Sequence, residues 1–82
     1  MTQMELRGGA TMPLTMPLTV NGEPRTAADG TTLGALLREL GLDARMIVVE
    51  RNRTILRDRD AYDAVTLEPD DVLELVHFVG GG

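Results

Sequence analysis

The 82-residue sequence contains no cysteine, no tryptophan and no lysine, and only one histidine, one tyrosine and one phenylalanine. Without cysteine there is no disulfide, no thiolate nucleophile and no thiolate ligand for a metal. The single histidine, His77, falls inside an alternating apolar segment, where a surface or hydrogen-bonded role fits better than ligation. No metal site and no bound cofactor is expected. Because all eight basic residues are arginine, no side-chain amine is available for an isopeptide bond or a Schiff base. Thirteen acidic residues against those eight arginines give a formal charge of −5, the wrong sign for binding a phosphate backbone, which takes clustered cations. A basic protein surface suits this chain better than nucleic acid. No apolar run reaches the length of a membrane span or of a signal-peptide core, so a cytoplasmic protein without membrane association is expected. A chain this short makes one small domain whose core supplies roughly 3–5 kcal/mol of net stability, little to support a buried catalytic constellation.

Local patterning begins late in the chain. Residues 1–15 combine Gly8-Gly9 with mixed polarity and no sustained period, so they are expected to be a disordered extension or to precede an alternative start. Met12-Pro13-Leu14-Thr15 repeats at once as Met16-Pro17-Leu18-Thr19, an echo too short to indicate a repeat fold. The domain is expected to occupy residues 16–79. Leu18 and Val20 share a strand face, and Asn21-Gly22 provides the positive φ angles of a tight hairpin turn into a return strand over Glu23–Ala28. After Asp29-Gly30, either Thr31 or Thr32 is placed to cap a helix in which Leu33, Leu36, Leu37 and Leu40 recur at i, i+3, i+4 and i+7. Gly41 is placed to end that helix and Leu42 to fold back on its last turn.

Met46–Glu50, apolar and β-branched, reads as a strand buried on both faces. Arg51-Asn52-Arg53 turns the chain into Thr54-Ile55-Leu56, and the charged stretch from Arg57 to Asp63 is irregular, with room for a helical turn and Tyr62 as its anchor. Val65-Thr66-Leu67 reads as another short strand, Glu68-Pro69-Asp70-Asp71 as a turn, and Val72–Val79 as the last strand. Along it Leu73 and Leu75 face the helix, while Val72, Glu74, Val76 and Phe78 face away. One helix covers one face of a sheet, which predicts an α+β roll with a mixed four- to five-stranded sheet, its first and last strands parallel at the centre.

The last strand runs into Gly80-Gly81-Gly82, the final residues of the sequence. Residues without a Cβ can stay extended in a channel too narrow for any side chain. A frayed end would also be glycine-rich, so the tail gains meaning only from the fold that presents it.

With Val20-Asn21-Gly22-Glu23, Thr32-Leu33 and the helix to Leu40-Gly41, Val49-Glu50-Arg51-Asn52, and Asp70–Val76 leading through His77-Phe78-Val79 to the three glycines, the chain resembles the ubiquitin-like β-grasp sulfur carriers of the ThiS family. The resemblance covers residues 18–82. It implies a carrier and not an enzyme, a monomer when free. An E1-like adenylyltransferase of the ThiF type would use ATP to activate the carboxylate of Gly82. A cysteine desulfurase or other donor would supply sulfur, and the resulting thiocarboxylate would serve a thiazole synthase of the ThiG type. Gly80 and Gly81 would thread the partner's channel, and Val76, Phe78 and Val79 would dock on it. Members of the family often carry a Pro-Arg pair after the fourth strand, where this chain has Arg57-Asp58. Rival readings within the fold are a MoaD-like subunit and a carrier for tRNA thiolation or protein conjugation, and a non-covalent ubiquitin-like binding module is the rival from another class.

Overall fold

The structure, a computed structural model, describes residues 14–78. Strand β1 (Thr15–Val20) turns through Asn21-Gly22 into β2 (Glu23–Ala28), and helix α1 (Leu33–Glu39) follows. A short 3-10 turn over Ala44–Met46 leads to β3 (Ile47–Arg51) and β4 (Thr54–Leu56), a second 3-10 segment covers Arg59–Ala64, and β5 (Asp71–His77) comes last. The five strands form one sheet in the order β2-β1-β5-β3-β4. The pair β1–β5 is parallel and the other three pairs are antiparallel. This is the β-grasp arrangement, with the first and last strands side by side at the centre. The first strand begins at Thr15, which pairs with Ala28, one residue earlier than the domain start expected from the sequence. The rest of the segment expected to be disordered, up to residue 13, lies outside the described residues.

Both hairpins are tight for a backbone reason. Asn21 and Gly22 have φ of 52° and 80°, as do Asn52 and Arg53 at 50° and 72°, the sign that a two-residue turn needs to follow the twist of its strands. The Asn21 amide nitrogen donates to the Leu73 carbonyl at 2.8 Å, and its side-chain oxygen accepts from the Leu75 amide at 2.7 Å. One turn residue thus caps β1 and extends its ladder along β5.

Thr32, not Thr31, caps the helix, its hydroxyl accepting from the Ala35 amide at 3.1 Å. At the far end the Gly41 amide donates to the Arg38 carbonyl and the Leu42 amide to the Leu37 carbonyl, with Gly41 at φ 74°. That is a Schellman motif, in which Leu42 folds onto the core as its hydrophobic partner. The helical leucines Leu33, Leu36 and Leu37 share one cluster with Met16, Leu18, Ile47, Val49, Tyr62, Leu67, Leu73 and Leu75. Near the start of α1, Gly34 lies so close to Asp63 that the carboxylate fills the space a Cβ would occupy. Arg38, one turn on, holds that carboxylate at 3.0 Å.

Two sequence expectations fail here. The strand beginning near Met46 is not buried on both faces: Ile47 and Val49 are buried, but Val48 and Glu50 are half-buried and Met46 is exposed in the preceding 3-10 turn. The helix covers one side only, so an apolar residue pointing the other way reaches the open face. Val65-Thr66-Leu67 is not a strand either, contributing a single bridge from Thr66 to Thr32. Its available partner is the short extended stub before the helix. The Leu33 amide donates to the Val65 carbonyl and the Leu67 amide to the Thr31 carbonyl, at 2.8 and 2.9 Å. The segment therefore satisfies a free N–H at the helix start instead of adding a strand.

Candidate functional site: the strand leading to the C-terminus

Strand β5 and the residue after it carry the two assigned docking residues that the structure describes, Val76 and Phe78. The strand alternates regularly: Asp71, Leu73 and Leu75 are buried, and Val72, Glu74 and Val76 are exposed. Flanked by β1 and β3, it cannot shift sideways without breaking both ladders. The β3 register runs from Arg51↔Leu73 to Ile47↔His77, and the Phe78 amide donates to the Met46 carbonyl at 3.1 Å. The chain is thus held to the sheet through Phe78, the last residue described. Val79, Gly80, Gly81 and Gly82, assigned to docking, threading and modification, lie outside the described residues.

The assigned docking residues Val76 and Phe78 are both on the face away from the helix, 56% and 38% exposed. Val72 and Ile55 are also exposed there, at 44% and 45%. Between these apolar side chains Glu50 and Glu74 stand directly opposite one another on β3 and β5. Like charges in facing positions weaken a sheet, so this pair gains most from a cation brought by a partner. His77 is exposed at the end of the strand.

Three residues that the sequence reading placed only in turns and in the resemblance prove to anchor the start of the strand. Asp71, 4% exposed, accepts from Arg51 Nε at 2.9 Å, from Asn52 Nδ2 at 2.9 Å and from the Glu68 amide at 2.8 Å. Asn52 brackets the next residue: its backbone amide donates to the Val72 carbonyl and its side-chain oxygen accepts from the Val72 amide. Arg51 also reaches the Thr66 carbonyl at 3.2 Å. The signal was present in the sequence as an acid opening an apolar strand and an arginine closing another, but which pair meets depends on the β3–β5 register.

Burial pushes the Asp71 carboxyl up, and the hydrogen bonds from Glu68, Asn52 and Arg51 together outweigh it, leaving the group below its ordinary value of 3.8. A carboxyl depressed by folding stabilises the native state above its unfolded pKa, and that contribution is lost as pH falls through the lower folded value. Stability of the parent should therefore drop below about pH 4, the ordinary carboxylate range. Asp71→Asn, which leaves the Arg51 and Glu68 donors short of a charged acceptor, should cost about 1–3 kcal/mol at neutral pH and flatten the acid limb. Urea titrations of parent and variant between pH 3 and 7 measure both effects, and parallel acid limbs would exclude the assignment.

Comparison with known proteins agrees with this geometry. The ThiS family profile matches residues 18–82. Over 67 residues the chain is 48% identical to a thiazole synthase of Magnetococcus marinus, a match covering 82% of this chain but 20% of that protein. The chain spans about a fifth of the length of such relatives. It is 39% identical over 66 residues to the sulfur carrier protein ThiS of Bacillus subtilis, covering 79% of this chain and 98% of that one. The crystal structure of the thiamine biosynthesis protein ThiS from Geobacter metallireducens superposes with a TM-score of 0.69 at 38% identity, covering 82% of this chain and all of that one. On the family match over residues 18–82, the near full-length match to the Bacillus subtilis protein and the shared fold, the chain belongs to the ThiS family.

Proposed function

We propose that this chain carries sulfur for the thiazole ring of thiamine as a thiocarboxylate on Gly82, as a carrier acted upon and not an enzyme. The observation carrying most weight is the match to the Bacillus subtilis carrier over 98% of its length, in a fold whose central strand leads toward Gly80-Gly81-Gly82. A carboxylate is a poor electrophile because its charge repels nucleophiles. An E1-like adenylyltransferase of the ThiF type overcomes this with ATP: the carboxylate attacks the α-phosphate, pyrophosphate leaves, and the acyl-adenylate has a neutral carbonyl and a good leaving group. A sulfide equivalent from a cysteine desulfurase or other donor attacks that carbonyl and AMP departs. The thiocarboxylate is then used by a thiazole synthase of the ThiG type. That partnership is supported by the thiazole synthases in which a stretch like this chain takes a fifth of the length. ATP and the catalytic groups belong to the partners, and the free carrier is a cytoplasmic monomer.

The lack of lysine and cysteine suits this chemistry, because no side-chain amine or thiol of the carrier can intercept its own activated acyl group. The family match favours thiamine over a MoaD-like role, tRNA thiolation or protein conjugation. Intact-mass spectrometry after incubation with ATP, the E1-like enzyme of the same genome and a sulfur donor should show one oxygen replaced by sulfur, mapped to Gly82. If the protein never gains sulfur, the non-covalent binding-module reading takes its place.

A further inference from the structure

The loop between β4 and β5 meets the last described residue of the chain through one side chain, Arg59. Its guanidinium carbon lies 5.7 Å from the centre of the Phe78 ring, within the range of a cation–π contact. Arg59 is itself held, its Nε donating to the Ala44 carbonyl at 3.1 Å. Phe78 is fixed on its other side by its backbone, the amide donating to the Met46 carbonyl at 3.1 Å. A side chain from the 3-10 segment of Arg59–Ala64 and a main-chain bond from the turn of Ala44–Met46 thus converge on the residue four positions before Gly82. The arrangement is not needed for the core: Phe78 is 38% exposed and outside the buried cluster. A bulky aromatic ring kept at the surface and covered by a cation tethered to a different element has more to do with direction than with burial.

We propose that Arg59 is a positioning residue for the carrier's chemistry. By holding the Phe78 ring it fixes the end of the described chain four positions in sequence before Gly82, and this fixed starting point favours productive presentation of the Gly82 carboxylate to the adenylylating site. The inference rests on the carrier function proposed above. It is also distinct from the assignment of Phe78 to docking, since it gives Arg59 an effect on turnover rather than on affinity. Arg59 stands two positions beyond Arg57, in the loop where the sequence has Arg57-Asp58 in place of the family's Pro-Arg pair.

The test uses the full chain and the E1-like enzyme, comparing the parent with Arg59→Gln, Arg59→Lys and Phe78→Leu. Gln removes the cation and Lys retains it, while Phe78→Leu removes the ring. With melting temperature unchanged, Arg59→Gln should lower kcat for ATP-dependent adenylylation about tenfold with KM changed less than about threefold, the pattern of an interaction that counts mainly in the transition state. Lys should recover most of the loss. Adding Arg59→Gln to Phe78→Leu should cause no further loss, because both variants break one contact. A rise in KM at constant kcat would make Arg59 a docking residue and overturn the proposal, as would full activity in Arg59→Gln. A second readout does not depend on the enzyme. In the free protein, ¹⁵N relaxation should show the Phe78 amide more mobile in Arg59→Gln and not in Arg59→Lys, and an unchanged amide would overturn the clamp. If the parent itself is never adenylylated while the relaxation result holds, the carrier function fails and the clamp stands.

Discussion

Replacing Leu36 by alanine should leave little of the protein folded at 25 °C. Leu36 is 1% exposed, on the face of α1 that shares its cluster with Leu73 and Leu75 of β5. Truncating a buried leucine removes its transfer free energy and leaves a cavity, together about 2–5 kcal/mol, comparable to the roughly 3–5 kcal/mol a core of this size supplies. The helix cannot absorb the loss by shifting. Thr32 fixes its start, Gly41 and Leu42 fix its end, and Gly34 against Asp63 fixes its approach to the 3-10 segment. Leu40→Ala, at a half-buried position packed on the rim of the cluster, should cost clearly less. Urea unfolding followed by circular dichroism separates the two. A midpoint for Leu36→Ala equal to that of the parent would contradict the burial assigned to this helix face.

Much of this architecture was legible because local signals and the global fold agree. The leucine spacing places the helix face, Asn21-Gly22 gives a two-residue turn whatever the strands do, and the alternation from Val72 to Val76 separates the face against Leu36 and Leu37 from the open face. What stayed hidden depends on partners distant in sequence. Val65-Thr66-Leu67 has the composition of a strand, yet whether such a run pairs depends on the length of the neighbour it meets, here the stub of Thr31 and Thr32. Met46–Glu50 could not show that its second face is open, because one helix must be placed before the uncovered side is known. The Arg51–Asn52–Asp71 set and the Arg59–Phe78 contact join residues 19 or 20 positions apart in sequence. No periodicity within either segment points to the other: the first set becomes visible only once β3 and β5 are aligned, and the Arg59–Phe78 contact only once the 3-10 segment of Arg59–Ala64 is placed against the end of β5.

Gly81→Val should abolish adenylylation of the carrier while leaving its melting temperature unchanged. The two outcomes follow from where the fold is held. Among the described residues the packing and the sheet are held by the Leu33–Leu37 face, β5 through His77 and the Phe78 amide bond, and every residue from Asp71 to Phe78 is retained in the variant. Valine instead adds a β-branched side chain one position before Gly82, whose carboxylate is the proposed reacting group. It removes the conformations open only to glycine and widens the chain where, on the proposed function, a partner's channel would admit backbone alone. An alanine added after Gly82 tests the other half of the argument, since it moves the carboxylate one residue beyond the site that must activate it without thickening the chain before it. Both variants should still bind the E1-like enzyme through the face carrying Val72, Val76 and Phe78, and so should compete with the parent for it. Pyrophosphate release measures activation, and competition against the parent measures binding. If Gly81→Val is adenylylated as fast as the parent, the glycines are not there for threading; if neither variant competes, the tail rather than the open face provides the affinity.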